Sequence, residues 1–128
     1  MIKTGIVQEK IYVKLDKLGI LQVKESVHLK SGSFMDLVVE RLGENHFSLT
    51  HYYEQNGDLC PDPDMEIRIM PDMEMAEALS YQDSFGFRKV YYPDNMVDLK
   101  AKKDLNQFLN TWLNNLKKQG FKYPNGGA

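Results

Sequence analysis

Near the C-terminus, Leu105, Phe108, Leu109, Trp112, Leu113 and Leu116 recur at i, i+3, i+4, i+7, i+8 and i+11. That spacing lays all of them along one stripe of an α-helix. A helix with so wide an apolar stripe has to bury it against another layer. Upstream, the period shortens from 3.6 toward 2. Phe47, Leu49, His51 and Tyr53 fall on one face of a strand, and His46, Ser48, Thr50 and Tyr52 on the other. A half-apolar antiparallel sheet is the layer such a helix covers. The fold class that follows is α+β: an N-terminal helix, an antiparallel meander of about five strands, and a C-terminal helix packed on one sheet face.

The other elements follow from local chemistry. Val7, Ile11, Leu15 and Leu18 predict a helix over 5–18, stopped by Gly19. Residues 20–33 carry no decisive pattern beyond the Ser31-Gly32-Ser33 loop. Strands are expected over 34–42 and 46–53, joined by Gly43-Glu44-Asn45. The stretch 54–63 reads as a polar loop, because Asn56-Gly57 is a turn and Pro61 and Pro63 disfavour a central strand. Strands are then expected over 64–70, from Pro71-Asp72 to about 81, and over 85–92. The repeated Pro-Asp-Met-Glu at Pro63 and Pro71 reads as the two arms of one hairpin. In the last helix, Asp104 and Gln107 have the spacing of a capping box. Gly120 and Phe121 have that of a Schellman end, with Lys117 and Lys118 suiting the helix dipole.

The chain has 128 residues, 42% hydrophobic and 27% charged. That suffices for one hydrophobic core and not for two ordinary domains. Residues 1–122 are expected to form a single α+β domain and residues 123–128 a flexible tail. Cys60 is the only cysteine, which excludes an intramolecular disulfide. No apolar run is long enough to span a membrane, and the N-terminus has no h-region of a secretory signal. A cytoplasmic location is expected.

Net charge is −2, unevenly spread. Residues 1–30 carry six lysines against three acids, for +3. Residues 31–98 carry four basic and fourteen acidic side chains, for −10. Residues 99–128 carry six lysines against Asp104, for +5. Basic ends flank an acidic middle.

Two motifs carry a resemblance. One is His51-Tyr52-Tyr53-Glu54-Gln55-Asn56-Gly57-Asp58-Leu59 followed by Asp62-Pro63-Asp64-Met65-Glu66-Ile67. The other is Asp104-Leu105-Asn106-Gln107-Phe108 with Trp112-Leu113, Asn115-Leu116 and Gln119-Gly120-Phe121. Over roughly 34–122 the chain resembles an uncharacterised domain-of-unknown-function family. Its small proteins are encoded by bacterial conjugative plasmids, integrative elements and phages. The resemblance implies a mobile-element accessory protein and carries no catalytic residues with it.

No side-chain set in the sequence matches a known catalytic pattern. Between Glu54 and Asp83 lie nine acids and one arginine, Arg68. Such a surface steers toward a basic protein partner, and as a plain alternative it keeps a sheet edge soluble. Asp58, Asp62, Asp64 and Glu66 are oxygen ligands of the kind Ca²⁺ or Mg²⁺ take. The EF-hand spacing is missing, and neither a metal nor another cofactor is expected. His28, His46 and His51 lack a placed nucleophile, and the acidic surroundings of Cys60 disfavour its thiolate. Lys100, Lys102 and Lys103 lie toward one end of the helix, with Lys102 and Lys103 about 22 Å from Lys117 and Lys118 at the other. Two separated patches argue against nucleic-acid binding, even with Lys122 and Tyr123 nearby. Met65, Met70, Met73 and Met75 read as adaptable core filler, with a Met-rich patch for a flexible partner as the alternative.

The leading expectation is a non-enzymatic interaction module, with Glu54, Asp58, Asp62, Asp64, Glu66 and Glu74 as partner-binding residues. The alternative is a small-molecule-binding or enzymatic domain with a site at His51, Tyr53 and Glu54. Oligomeric state is open at the level of sequence.

Overall fold

The computed structural model describes residues 6–123, apart from the side chains of residues 54, 55, 59 and 61. Helix α1 spans Val7–Lys17 and buries Ile11 and Leu15 completely. Gly19 ends it with a φ of 80°. The ambiguous stretch resolves into a 3₁₀ turn at Ile20–Gln22 and strand β1 at Ser26–Leu29. Strands β2 (Leu37–Gly43), β3 (His46–Gln55), β4 (Asp58–Met70), β5 (Met75–Asp83) and β6 (Gly86–Lys89) follow. They form one antiparallel sheet in the order β1-β2-β3-β4-β5-β6. Helix α2 spans Leu99–Gln119.

The fold class stands as read, with one strand more than the five expected. The reading of 54–63 as a loop does not hold. Only the Asn56-Gly57 turn is loop; β3 and β4 run on to either side of it as one long hairpin. The prolines are accommodated because β4 pairs with β5 only from Asp64 onward. Before that point β4 has one neighbour, β3, and the ladder is shifted between Thr50 and Tyr52. An edge segment beside a bulge is where a strand tolerates a residue without an N–H.

Two further boundaries move. The strand expected over 85–92 divides at Val90: β6 ends at Lys89, and Tyr91–Tyr92 (β7) pairs with Met96–Val97 (β8) in a separate ribbon. The last helix starts six residues, nearly two turns, before the Asp104 signal. Asp98 is its N-cap, accepting from the Ala101 amide at 2.9 Å. Asp104 instead pairs with Lys100 at 3.1 Å, one turn back along the helix. The C-terminal end is as read: Gly120 has a φ of 92° and the Phe121 amide donates to the Leu116 carbonyl at 3.1 Å.

Strand alternation sends Leu37, Val39, Phe47, Leu49, Met65 and Ile67 to one side, where the stripe of α2 and the inner face of α1 cover them. Each fully buried large side chain contributes about 1.5–3 kcal/mol of transfer free energy. Among the described residues the other sheet face carries no helix. The expected tail lies outside the described residues from 124 on, while Tyr123 is tied by its amide to the Leu18 carbonyl at 2.9 Å.

Candidate functional site

The residues that alternate away from the core build the open face. Ser26, Glu40, Ser48, Glu66, Ser80 and Lys89 lie opposite one another across all six strands. The next row is His28, Val38, Thr50, Asp64, Gln82 and Phe87. Strands about 4.8 Å apart bring Glu40, Asp64 and Glu66 into one electrostatic neighbourhood. Ser48 and Thr50 are buried at its floor.

The carboxylates here are held by neighbours. Thr50 Oγ1 donates to Asp64 Oδ1 at 3.0 Å. His46 Nε2 lies 2.7 Å from Glu66 Oε1. The buried ring nitrogen has no aligned hydrogen-bond partner among the described residues. Burial raises the Asp64 carboxyl above the ordinary carboxylate range; the Thr50 bond opposes the rise, and the charges of Glu66 and Glu40 add to it.

Beside the acids the surface turns apolar. Phe85, at the tip of the β5–β6 hairpin, is 96% exposed, Phe87 57% and Met96 63%. Phe87 and Tyr91 line a groove of about 260 Å³ with Glu66, Leu79, Ser80 and Lys89. The Lys89 ammonium sits 4.7 Å from the centre of the Tyr92 ring. The ribbon bearing Tyr91 is anchored from below. Glu77 is 4% exposed, accepts from both Nε and Nη2 of Arg68, and accepts again from the Tyr91 hydroxyl.

The acids singled out from the sequence do not form one cluster. Asp64 and Glu66 sit at the centre of the open face. Asp58 begins β4 and Glu74 follows its far end, so the two are separated by the whole length of the strand. Asp62 is half-buried and close enough to add to the upward shift of the Tyr81 hydroxyl. The Glu54 side chain lies outside the described residues.

The alternative set disperses in a different way. His51 is 8% exposed, with ring centroids 5.5 Å from Trp112 and 5.8 Å from Phe121, and its Nδ1 is 3.1 Å from the Asp36 carbonyl. It is a packed core side chain at the base of the C-terminal helix. Tyr53 reaches Ser84 through its hydroxyl at 2.6 Å. Among the described residues no group of three or more His, Cys, Asp or Glu side chains is placed to hold a metal ion. No described helix is long and apolar enough to cross a membrane.

Sequence reasoning missed Glu40, Phe87 and Lys89. Glu40 lies on β2 and Phe87 and Lys89 on β6, and only the registers of those strands place them near Glu66. Phe85 and Phe87 were the available signal, and both fell within the strand expected over 85–92.

A family model described as a domain of unknown function, DUF6908, matches residues 9–122. The chain belongs to that family. No curated protein and no solved structure matches it.

Proposed function

We propose that this family member is a non-enzymatic interaction module that takes a basic protein partner on the open face of its sheet. The observation that carries this reading is the position of Asp64. It is half-buried near Glu66 and Glu40, where burial first and then their like charges raise its pKa, and it shares a cross-strand row with exposed Phe87, two strands away. A cationic side chain placed there relieves the repulsion. An apolar anchor beside it covers the phenylalanine surface that water otherwise contacts. The acidic face supplies steering and orientation, and the apolar margin supplies most of the affinity. Service to a bacterial mobile element is part of the proposal and is supported by the resemblance of its two motifs.

The test is a titration with a Lys/Arg-rich peptide bearing one aromatic anchor, followed by calorimetry at two salt concentrations. Binding is expected to weaken with salt and to fall by about tenfold or more in both Glu66→Lys and Phe87→Ser. Simple attraction between opposite charges needs only the acid. Equal binding by wild type and Phe87→Ser would therefore remove the module reading, and equal binding by Glu66→Lys would remove the acidic face from it.

A further inference from the structure

The two basic ends of the sequence meet in space. Lys10, Lys14 and Lys17 stand at spacings of four and three on α1, one face of the helix. Asn110, Asn114 and Lys117 stand at the same spacings on α2. The helices pack against each other, and a groove of about 300 Å³ opens between the stripes. Lys10, Lys14, Lys17, Asn114 and Lys117 line it together with Val13 and Glu9. Four ammonium groups against one carboxylate leave a formal charge of +3.

Facing helices normally set opposite charges across the seam, and like charges there are destabilising. Here Lys14 is the most enclosed of the four, and its ammonium donates to Asn110 Oδ1. Its pKa is lowered first by burial and then by the charges of Lys10 and Lys117. Among the described residues, none of Lys10, Lys17 and Lys117 makes an ion pair. The groove thus holds donors and positive charge in excess of what the described residues neutralise.

We infer that this groove between α1 and α2 binds a small organic phosphate, with the phosphate among Lys10, Lys14 and Lys117 and an apolar body along Val13 and the lysine stems. A dianionic group with several acceptor oxygens matches converging point-charge donors, and lysine is a recurrent phosphate ligand. Bare phosphate underfills the space, because a groove of about 300 Å³ is already at the lower end of the range for small-molecule sites, roughly 300–1,000 Å³. Lysine stems and an exposed valine give the remainder of the ligand an apolar wall. This site lies on the helical layer, across the core from the acidic sheet face, and does not depend on the interaction reading.

Phenyl phosphate titrated into the full chain, followed by amide chemical shifts, tests the inference. Saturable binding is expected with shifts confined to α1 and the C-terminal half of α2, tighter than that of inorganic phosphate. Lys14→Gln with Lys117→Gln is expected to weaken it at least about tenfold, and Lys14→Arg with Lys117→Arg to keep it within about threefold. Lys102→Gln with Lys103→Gln, remote on α2, is expected to leave it unchanged. Absence of saturation at millimolar phenyl phosphate, or equal binding by the glutamine pair, would overturn the site. Equal affinity for inorganic phosphate would overturn the organic ligand, and a response only to anionic phospholipid vesicles would overturn a soluble one.

Discussion

The Asn106 side-chain oxygen accepts the Ala78 backbone amide at 2.8 Å, joining the middle of α2 to the sheet. The bond sits where the β4–β5 register shifts, Glu66 facing Ser80 while Ile67 faces Ala78. Asn106 is 1% exposed, and its amide donates to the Lys102 carbonyl at 2.7 Å. A polar residue inside an apolar stripe thereby has a partner for both its oxygen and its nitrogen, as burial requires.

Replacing Asn106 with Ala strands the Ala78 amide in the core. The expected loss is about 1–3 kcal/mol, the desolvation penalty of an unpaired buried group. Chemical denaturation of the two proteins measures it. Asn106→Asp keeps an acceptor but buries a charge, so it is also expected to destabilise the fold, and more so as the carboxyl ionises.

Glu77→Ala removes the shared acceptor of Arg68 and Tyr91. Breaking one partner of a buried ion pair costs about 3–5 kcal/mol; half the Arg68 side chain is solvated, so about 2–3 kcal/mol is expected. The paired change Arg68→Met with Glu77→Leu is expected to recover most of the loss. A double-mutant cycle by denaturant unfolding checks the coupling.

Gly19 admits no side chain. A Cβ built there meets the Tyr123 carbonyl oxygen at 2.3 Å, and the φ of 80° disfavours any L-residue. Gly19→Ala is expected to destabilise by more than about 1 kcal/mol and to free the end of the chain from the Leu18 carbonyl. Thermal unfolding and protease sensitivity near Tyr123 read the two effects.

Stability on the alkaline side is tied to Tyr81. Burial pushes its hydroxyl up to about 12, helped by its hydrogen bond to Asp83 and by the charges of Asp83 and Asp62. An unfolded tyrosine ionises near 10. Between these values the unfolded chain releases a proton that the folded chain retains, so stability falls as pH rises. The contribution is intact below about pH 10 and is lost through about pH 12. Tyr91, raised by burial and then by its bond to Glu77, acts in the same direction. Tyr81→Phe is expected to flatten the decline in denaturation midpoints across this window.

The helices were legible because their residues are periodic and local. The Leu105–Leu116 stripe, the Gly120 end and the stop at Gly19 all rest on near neighbours in the chain. β1 was not legible: Ser26–Leu29 is only four residues long and owes its strand conformation to pairing with β2. The prolines of β4 misled for a related reason, since their tolerance depends on β5 ending beside Asp64. The candidate face was half legible. Asp64 and Glu66 stood out as acids, but Glu40 and Phe87 join them only through cross-strand register. Tertiary packing likewise decides that lysines from opposite ends of the sequence face one groove.

The central claim is that the open sheet face is the partner surface. Amide chemical shifts of the full chain, recorded during titration with the basic, aromatic-anchored peptide, test it directly. The account predicts perturbations centred on Glu40, Ser48, Asp64, Glu66 and Phe87, absent in the Glu66→Lys variant. Perturbations confined to α1 and α2, or spread evenly over every exposed acid including Asp58 and Asp72, would contradict it.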